Sequence, residues 1–258
     1  MIIMKQILLT VAMGKRLIGK AVVVHPAVIS ALQKGTVVIV AGTTNSYVAE
    51  EILESIGRKD KFSRQRFFRG ISLPPRYKTT DAGRLAGDNE FPGDVVIRYG
   101  LWQEGKTIND VAAELKEGDV IIKGANALDI VRKRAAILIG NPQGGTITVA
   151  LSAVVGRRVR LIIPIGLEKR IPGDLDEIAN KVNTPGNKGF RLLPVPGEVL
   201  TEIEALKLLT GAKAEMIAAG GISGAEGSVW LNIEGSPEQI QQAEKLIQSV
   251  ASEPPFIL

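Results

Sequence analysis

Five consecutive residues, Gly42-Thr43-Thr44-Asn45-Ser46, combine small size with hydroxyl and amide groups. They stand between an apolar run and a segment of helical spacing. Unpaired main-chain N–H groups at a helix N-terminus, and the positive end of its dipole, favour an anion there. Hydroxyls add donors without blocking the approach, so a phosphate fits. The alternative is that Thr44, Asn45 or Ser46 only caps the helix. Two more polar turns follow strand-like runs: Gly124-Ala125-Asn126-Ala127-Leu128-Asp129 and Gly140-Asn141-Pro142-Gln143-Gly144-Gly145-Thr146. If those strands are neighbours, the three turns share one carboxyl edge, where open α/β sheets bind ligands. The expected binding set is Gly42, Thr43, Thr44, Asn45, Ser46, Lys123, Gly124, Asn126, Asn141, Gln143 and Gly144. Asp129 is the candidate acid/base. Taken singly, Asp129 could cap the next helix and Gly144-Gly145 could make a tight turn.

Arg58–Arg69 (RKDKFSRQRFFR) carries six cations against Asp60, interleaved with Phe62, Phe67 and Phe68. Such a mixture suits nucleic acid or a phosphorylated ligand. The favoured reading is a solvated face with the phenylalanines packed inward. His25, before Pro26 in an apolar segment, reads as structural or helix-starting. Gly220-Gly221-Ile222-Ser223-Gly224 contains the G-x-x-G that clamps RNA in KH domains. Here it joins two strands instead of two helices, and it is discounted.

Composition narrows the chemistry further. Cysteine is absent and His25 is the single histidine among 258 residues, which excludes disulfides, thiolate nucleophiles and two-histidine metal sites. A net charge of +5 fits an anionic small molecule, a nucleic acid or no special partner. Aromatics at 4% leave few stacking platforms for bases. No stretch reaches the ~18 apolar residues of a membrane span. Lys5 interrupts the apolar Met1–Val11, and Gly14-Lys15-Arg16 follow it, the reverse of a signal peptide's charge order. The expectation is a cytoplasmic protein with no membrane partner. No cofactor is indicated.

Four strand-plus-turn units must position these residues. Thr36–Ala41 is a β-branched run of the kind buried on both faces, followed by a helix over Tyr47–Ile56 that stops at Gly57. Asp119–Lys123, Ala135–Ile139 and Val159–Ile165 are the next strands, the last leading to a helix over Asp174–Val182. The alternation predicts an α/β fold, a mostly parallel Rossmann-like sheet covered on both faces. Ile71–Phe91, rich in proline, glycine and polar residues, reads as a long ordered loop or lid. Turn formers cluster at Asn183–Gly189, giving a boundary between an α/β domain over 1–183 and a small one over 190–258. The second reads as strand Phe190–Val195, helix Glu198–Leu209, strands Ala214–Ala219 and Val229–Glu234, and a helix capped by Ser236. Closed by Phe256–Leu258, this order suggests a ferredoxin-like α+β domain.

Arg16–Ala21 with Gly35–Ser46 resembles the opening of ribose-5-phosphate isomerase and its relatives. That superfamily includes glucosamine-6-phosphate deaminase, the CoA transferases, the methylthioribose-1-phosphate isomerases and the lactate-utilisation domain. Val120–Asp129 (VIIKGANALD) resembles the strand-plus-G-A-D element of the two isomerase groups, and Pro164–Lys169 is similar to the end of the lactate-utilisation domain. The resemblance covers about Arg16–Val182 and implies a phosphate loop at Gly42–Ser46 and, by analogy alone, a homodimer. It also implies a loss. The family's D-G-A-D acids correspond to Lys123, Gly124, Ala125 and Asn126, and its lysine-glycine loop to Asn141–Gly145. An amide cannot exchange a proton near neutral pH as a carboxylate does, so sugar-phosphate isomerisation through these positions is not expected. The first reading is an enzyme on a phosphorylated or CoA-like molecule, using Asp129 or a loop carboxylate such as Asp81 or Asp88. The second is a non-catalytic sensor of a phosphorylated or otherwise anionic metabolite, and the amide replacements favour it. Nucleic-acid binding through residues 58–69 ranks last.

Overall fold

The computed structural model describes residues 2–69, 72–74, 76–78 and 93–257. Strand β1 (Ile3–Leu9) leads to helices α1 (Val11–Val23) and α2 (Pro26–Lys34). Then come β2 (Thr36–Ile39), α3 (Thr43–Ser55), β3 (Val95–Arg98), β4 (Leu101–Trp102) and the short α4 (Ile108–Val111). The middle of the chain forms β5 (Val120–Ile122), β6 (Ala127–Asp129), β7 (Arg134–Ile139), α5 (Thr146–Arg157), β8 (Arg160–Pro164) and α6 (Leu175–Val182). The last part forms β9 (Arg191–Val195), β10 (Glu198–Leu200), α7 (Glu202–Thr210), β11 (Lys213–Ala219), β12 (Val229–Gly235) and α8 (Pro237–Val250). The fold is mixed α/β. Among the described residues, no helix is long and apolar enough to cross a membrane.

The largest sheet has the order β10-β8-β5-β2-β3-β4. Strands β10, β8, β5 and β2 are parallel, and β3 and β4 add an antiparallel edge. All four residues of β2 are buried, as expected for a β-branched strand covered on both faces. Leu17, Ile18, Ala21 and Val22 of α1 and Val48, Ala49, Ile52 and Leu53 of α3 are fully buried. Each large apolar side chain so buried contributes about 1.5–3 kcal/mol relative to exposure. The two helices touch closely at Gly19, where an added Cβ would sit 3.0 Å from the Tyr47 carbonyl oxygen.

Several elements differ from the sequence expectation. Ala135–Ile139 is a strand, but it lies outside the parallel sheet, in an antiparallel sheet of order β6-β7-β9. Only Ile130–Lys133 separate β6 from β7, too short a link for a parallel crossover, so the pair must be a hairpin. Ala127–Asp129, read as part of a turn, is its first strand. The helix expected from Glu198 starts at Glu202; Glu198–Leu200 is instead a strand parallel to β8. The capping box of Thr201 and Glu204 sets that start, with both residues exchanging hydrogen bonds across the first turn. Phe256 and Ile257 form no strand, and Leu258 lies outside the described residues. The sheet of β11 and β12 gains its third strand from β1, which pairs with β12 from Ile3↔Gly235 to Leu9↔Val229. Strand pairing therefore crosses the 183–189 turn cluster three times, through β1–β12, β7–β9 and β8–β10.

Candidate functional site

A cavity of about 560 Å³ opens where the carboxyl ends of β2 and β5 meet the first turns of α3 and α5. Gly42, Thr43, Thr44 and Asn45 line it from α3, and Lys123, Gly124 and Asn126 from the segment after β5. Asn141, Gln143 and Gly144 line the third side. The three polar turns thus meet although β7 belongs to another sheet, because the chain leaves β7 and re-enters beside the main sheet as α5.

Helix α3 begins without a side-chain cap. Gly42 holds the N-cap position, and the first helical bond runs from Ser46 N to Gly42 O at 2.8 Å. The capping alternative for Thr44, Asn45 and Ser46 is thereby removed. Ser46 Oγ donates to Thr43 O at 2.8 Å, and the residue does not line the cavity. Asn45 Nδ2 donates to Val40 O at 2.7 Å and to Ile122 O at 3.1 Å, tying the ends of β2 and β5 together. Its Oδ1 and the Thr44 hydroxyl are buried with no hydrogen-bond partner among the described residues. Helix α5 repeats the arrangement, with Gly145 at its N-cap and no side-chain cap. Gly144 and Gly145 adopt φ of 81° and 66°, a region that favours glycine.

Among the described residues, three cationic side chains line the cavity: Arg69, Lys123 and Lys169. Lys169 Nζ donates to Ala125 O at 2.9 Å, and burial lowers its pKa against the attraction of Glu168. Arg69 Nη2 lies 3.2 Å from Asp94 Oδ1. Lys123 has neither a hydrogen bond nor an ion pair for its ammonium among the described residues. Burial, reinforced by Arg69 and opposed by Asp94, lowers its pKa to about 8. Asp94 itself is fully buried; its carboxylate accepts from Ala41 N at 3.0 Å and from Ile108 N at 2.8 Å.

The amides are partly committed to the fold. Asn126 Oδ1 accepts from Leu138 N at 3.0 Å, and Asn141 Oδ1 from Gln143 N at 2.7 Å, an Asx turn. Among the described residues no carboxylate lines the cavity. Asp129 is not there. It lines a separate hollow beside Arg132, Asp174 and Met216. Hydrogen bonds from the Arg132 main chain (2.9 Å) and guanidinium (3.0 Å) hold its pKa below the ordinary value. A carboxylate so held is a poor proton donor or acceptor near neutral pH, so the candidate acid/base role is withdrawn. Asp81 and Asp88 lie outside the described residues, as does most of the 71–91 segment.

Sequence reasoning missed Lys169, Arg69 and Asp94 as parts of this site. Lys169 follows the end of β8, so the rule that ligands bind at strand carboxyl ends points to it. Asp94 gave no signal, because its partners, Ala41 N, Ile108 N and the Arg69 guanidinium, are distant in sequence. Elsewhere the basic segment is tied into the fold: Arg64 pairs with Glu253 and stacks on Tyr47 at 4.2 Å, Lys59 pairs with Glu54, and Phe67 and Phe68 are buried. His25 caps α2, its Nδ1 accepting from Ala27 N, while Nε2 lies 3.0 Å from Glu198 Oε1. Gly220–Gly224 lies between the antiparallel β11 and β12.

No protein-family model, curated protein or solved structure matches the chain.

Proposed function

We propose that the chain binds a phosphorylated or otherwise anionic small metabolite at the carboxyl edge of the main sheet, as a sensor without sugar-phosphate isomerase chemistry. One observation carries this reading. Two uncapped helix N-termini share a cavity with the unpartnered buried Thr44 Oγ1 and Asn45 Oδ1 and with Arg69, Lys123 and Lys169. Helix dipoles, N–H groups and cations all favour negative charge there. Gly42 adds support. Its φ of 174° suits any residue, and a Cβ there would meet nothing within 4 Å. The fold does not require the glycine, whereas a ligand approaching the main chain would.

The mixed sheet is read as the Rossmann-like core of the ribose-5-phosphate isomerase relatives, and residues 190–258 as ferredoxin-like. A homo-oligomer is inferred by analogy alone. The enzyme reading through carboxylates loses Asp129 and rests on Asp81 or Asp88.

The test is thermal unfolding with inorganic phosphate, pentose and hexose phosphates, nucleotides and CoA esters, on the wild type and Thr44→Asp. A ligand at about a hundred times its Kd adds about 2.7 kcal/mol. A shift lost in the variant is the expected result. No shift with any compound refutes the phosphate-loop reading.

A further inference from the structure

We propose that Lys123 is an amine nucleophile, forming an imine with the carbonyl carbon of a hydroxylated, phosphorylated aldehyde or ketone seated in the cavity. The inference rests on the anion-site reading above and adds the substrate class and a covalent step to it.

The geometry supplies three distinct functions around one space. The first turns of α3 and α5 are suited to a phosphate. Asn45 Oδ1, fully buried and without a donor, is an acceptor for a ligand hydroxyl; its orientation is fixed because Nδ2 is committed to Val40 O and Ile122 O. That oxygen lies 4.0 Å from where a Cβ on Gly124 would sit, so it stands beside the residue that follows Lys123. Lys123 is the third element. It extends from the end of β5 and lines the cavity, and its ammonium has no ion pair or hydrogen bond among the described residues. A lysine that only neutralised a structural charge would have a carboxylate partner. Among the described residues, Asp94, whose charge acts on Lys123, is engaged by Arg69, Ala41 N and Ile108 N. A volume of about 560 Å³ accommodates a small metabolite.

The amine must be neutral to react, and lysines become so when desolvated beside another cation. Burial and Arg69 provide both conditions and lower the pKa of Lys123 to about 8. About a tenth of the molecules then carry a free amine near pH 7. The neutral amine adds to the carbonyl carbon. Its two protons leave with the carbonyl oxygen as water, and a C=N bond replaces C=O. No oxidant or second substrate is needed.

The experiment treats the full-length protein with glyceraldehyde 3-phosphate or pyridoxal 5′-phosphate, with pyridoxal as the control, and traps imines with cyanoborohydride. Intact mass and peptide mapping locate the adduct, and thermal unfolding with inorganic phosphate is measured in parallel. The expected result is one adduct at Lys123, reduced about tenfold or more with pyridoxal or with competing phosphate. Lys123→Arg removes this adduct. The wild-type peptide map decides the matter even if that variant folds poorly. Adducts at Lys169 or scattered over surface lysines, with phosphate stabilisation intact, overturn the role of Lys123 and leave the anion site standing. Absence of phosphate stabilisation, with labelling indifferent to the phosphate group, overturns the anion site and this inference together.

Discussion

The side-chain nitrogen of Asn45 donates to the carbonyl oxygen of Val40 at 2.7 Å, so a residue of α3 closes back on the strand that precedes the helix. The same amide reaches Ile122 O, while its oxygen remains buried and unpartnered. One half of the side chain therefore holds the cavity wall, and the other half has no partner among the described residues. Asn45→Leu removes the donor from Val40 O and is expected to cost about 2 kcal/mol, read as a lower midpoint in chemical denaturation. An unchanged midpoint would show that the amide does not tie β2 to β5.

Gly42→Ser tests whether the open helix start is kept for a ligand. The backbone there is extended and the Cβ position is empty, so serine fits and can cap α3. Stability should rise by about 0.5 kcal/mol, roughly 1–2 °C for a chain of this size. Stabilisation by phosphate should weaken in the same variant. A more stable protein with undiminished phosphate response would separate the helix start from the site.

Lys123→Met should stabilise the protein at neutral pH and weaken anion binding, because the folded state holds this charge less well than the unfolded chain does. The sign follows from a pKa lowered from 10.5 to about 8 by burial and Arg69, with Asp94 opposing. The penalty is complete below about pH 8, fades as pH rises and is gone above about 10.5. Comparing midpoints across that range tests it. A variant equally destabilised at every pH would mean that the lysine stem, not its charge, matters at this position.

Glu202 carries the opposite titration. It is buried, accepts from Leu167 N at 2.9 Å, and burial with Glu168 nearby raises its pKa well above the ordinary 4.5. A raised carboxyl pKa contributes stability that is complete below the unfolded value and is lost as pH rises through the folded one. Glu202→Gln keeps an acceptor for Leu167 N. It should match the wild type near about pH 4 and exceed it near about pH 9, as measured by urea denaturation. Parallel curves across that range would refute the shifted titration.

How much of this was readable from sequence follows from the range of each interaction. Thr36–Ile39, Val120–Ile122 and Arg160–Pro164 declared themselves through β-branched runs, and Ser236 through its capping box. Local patterns of that kind need no tertiary information. The place of β7 was misassigned because an apolar strand looks alike in a parallel sheet and in a buried hairpin. The pairing of β1 with β12 joins residues more than two hundred positions apart, and no local signal carries it. Ten of the eleven expected binding residues line one cavity, since turns after strands concentrate at sheet edges. Asp129 failed because a two-fold strand period, unseen in Ala127–Asp129, decides which way its side chain faces.

The most direct test of the anion site is calorimetric titration with matched pairs: ribose 5-phosphate and ribose, glucose 6-phosphate and glucose, AMP and adenosine. The account predicts binding of at least one phosphate ester, none of its unphosphorylated partner, and loss of that binding in Thr44→Asp. Equal binding within a pair, or no binding by any ester, would contradict it.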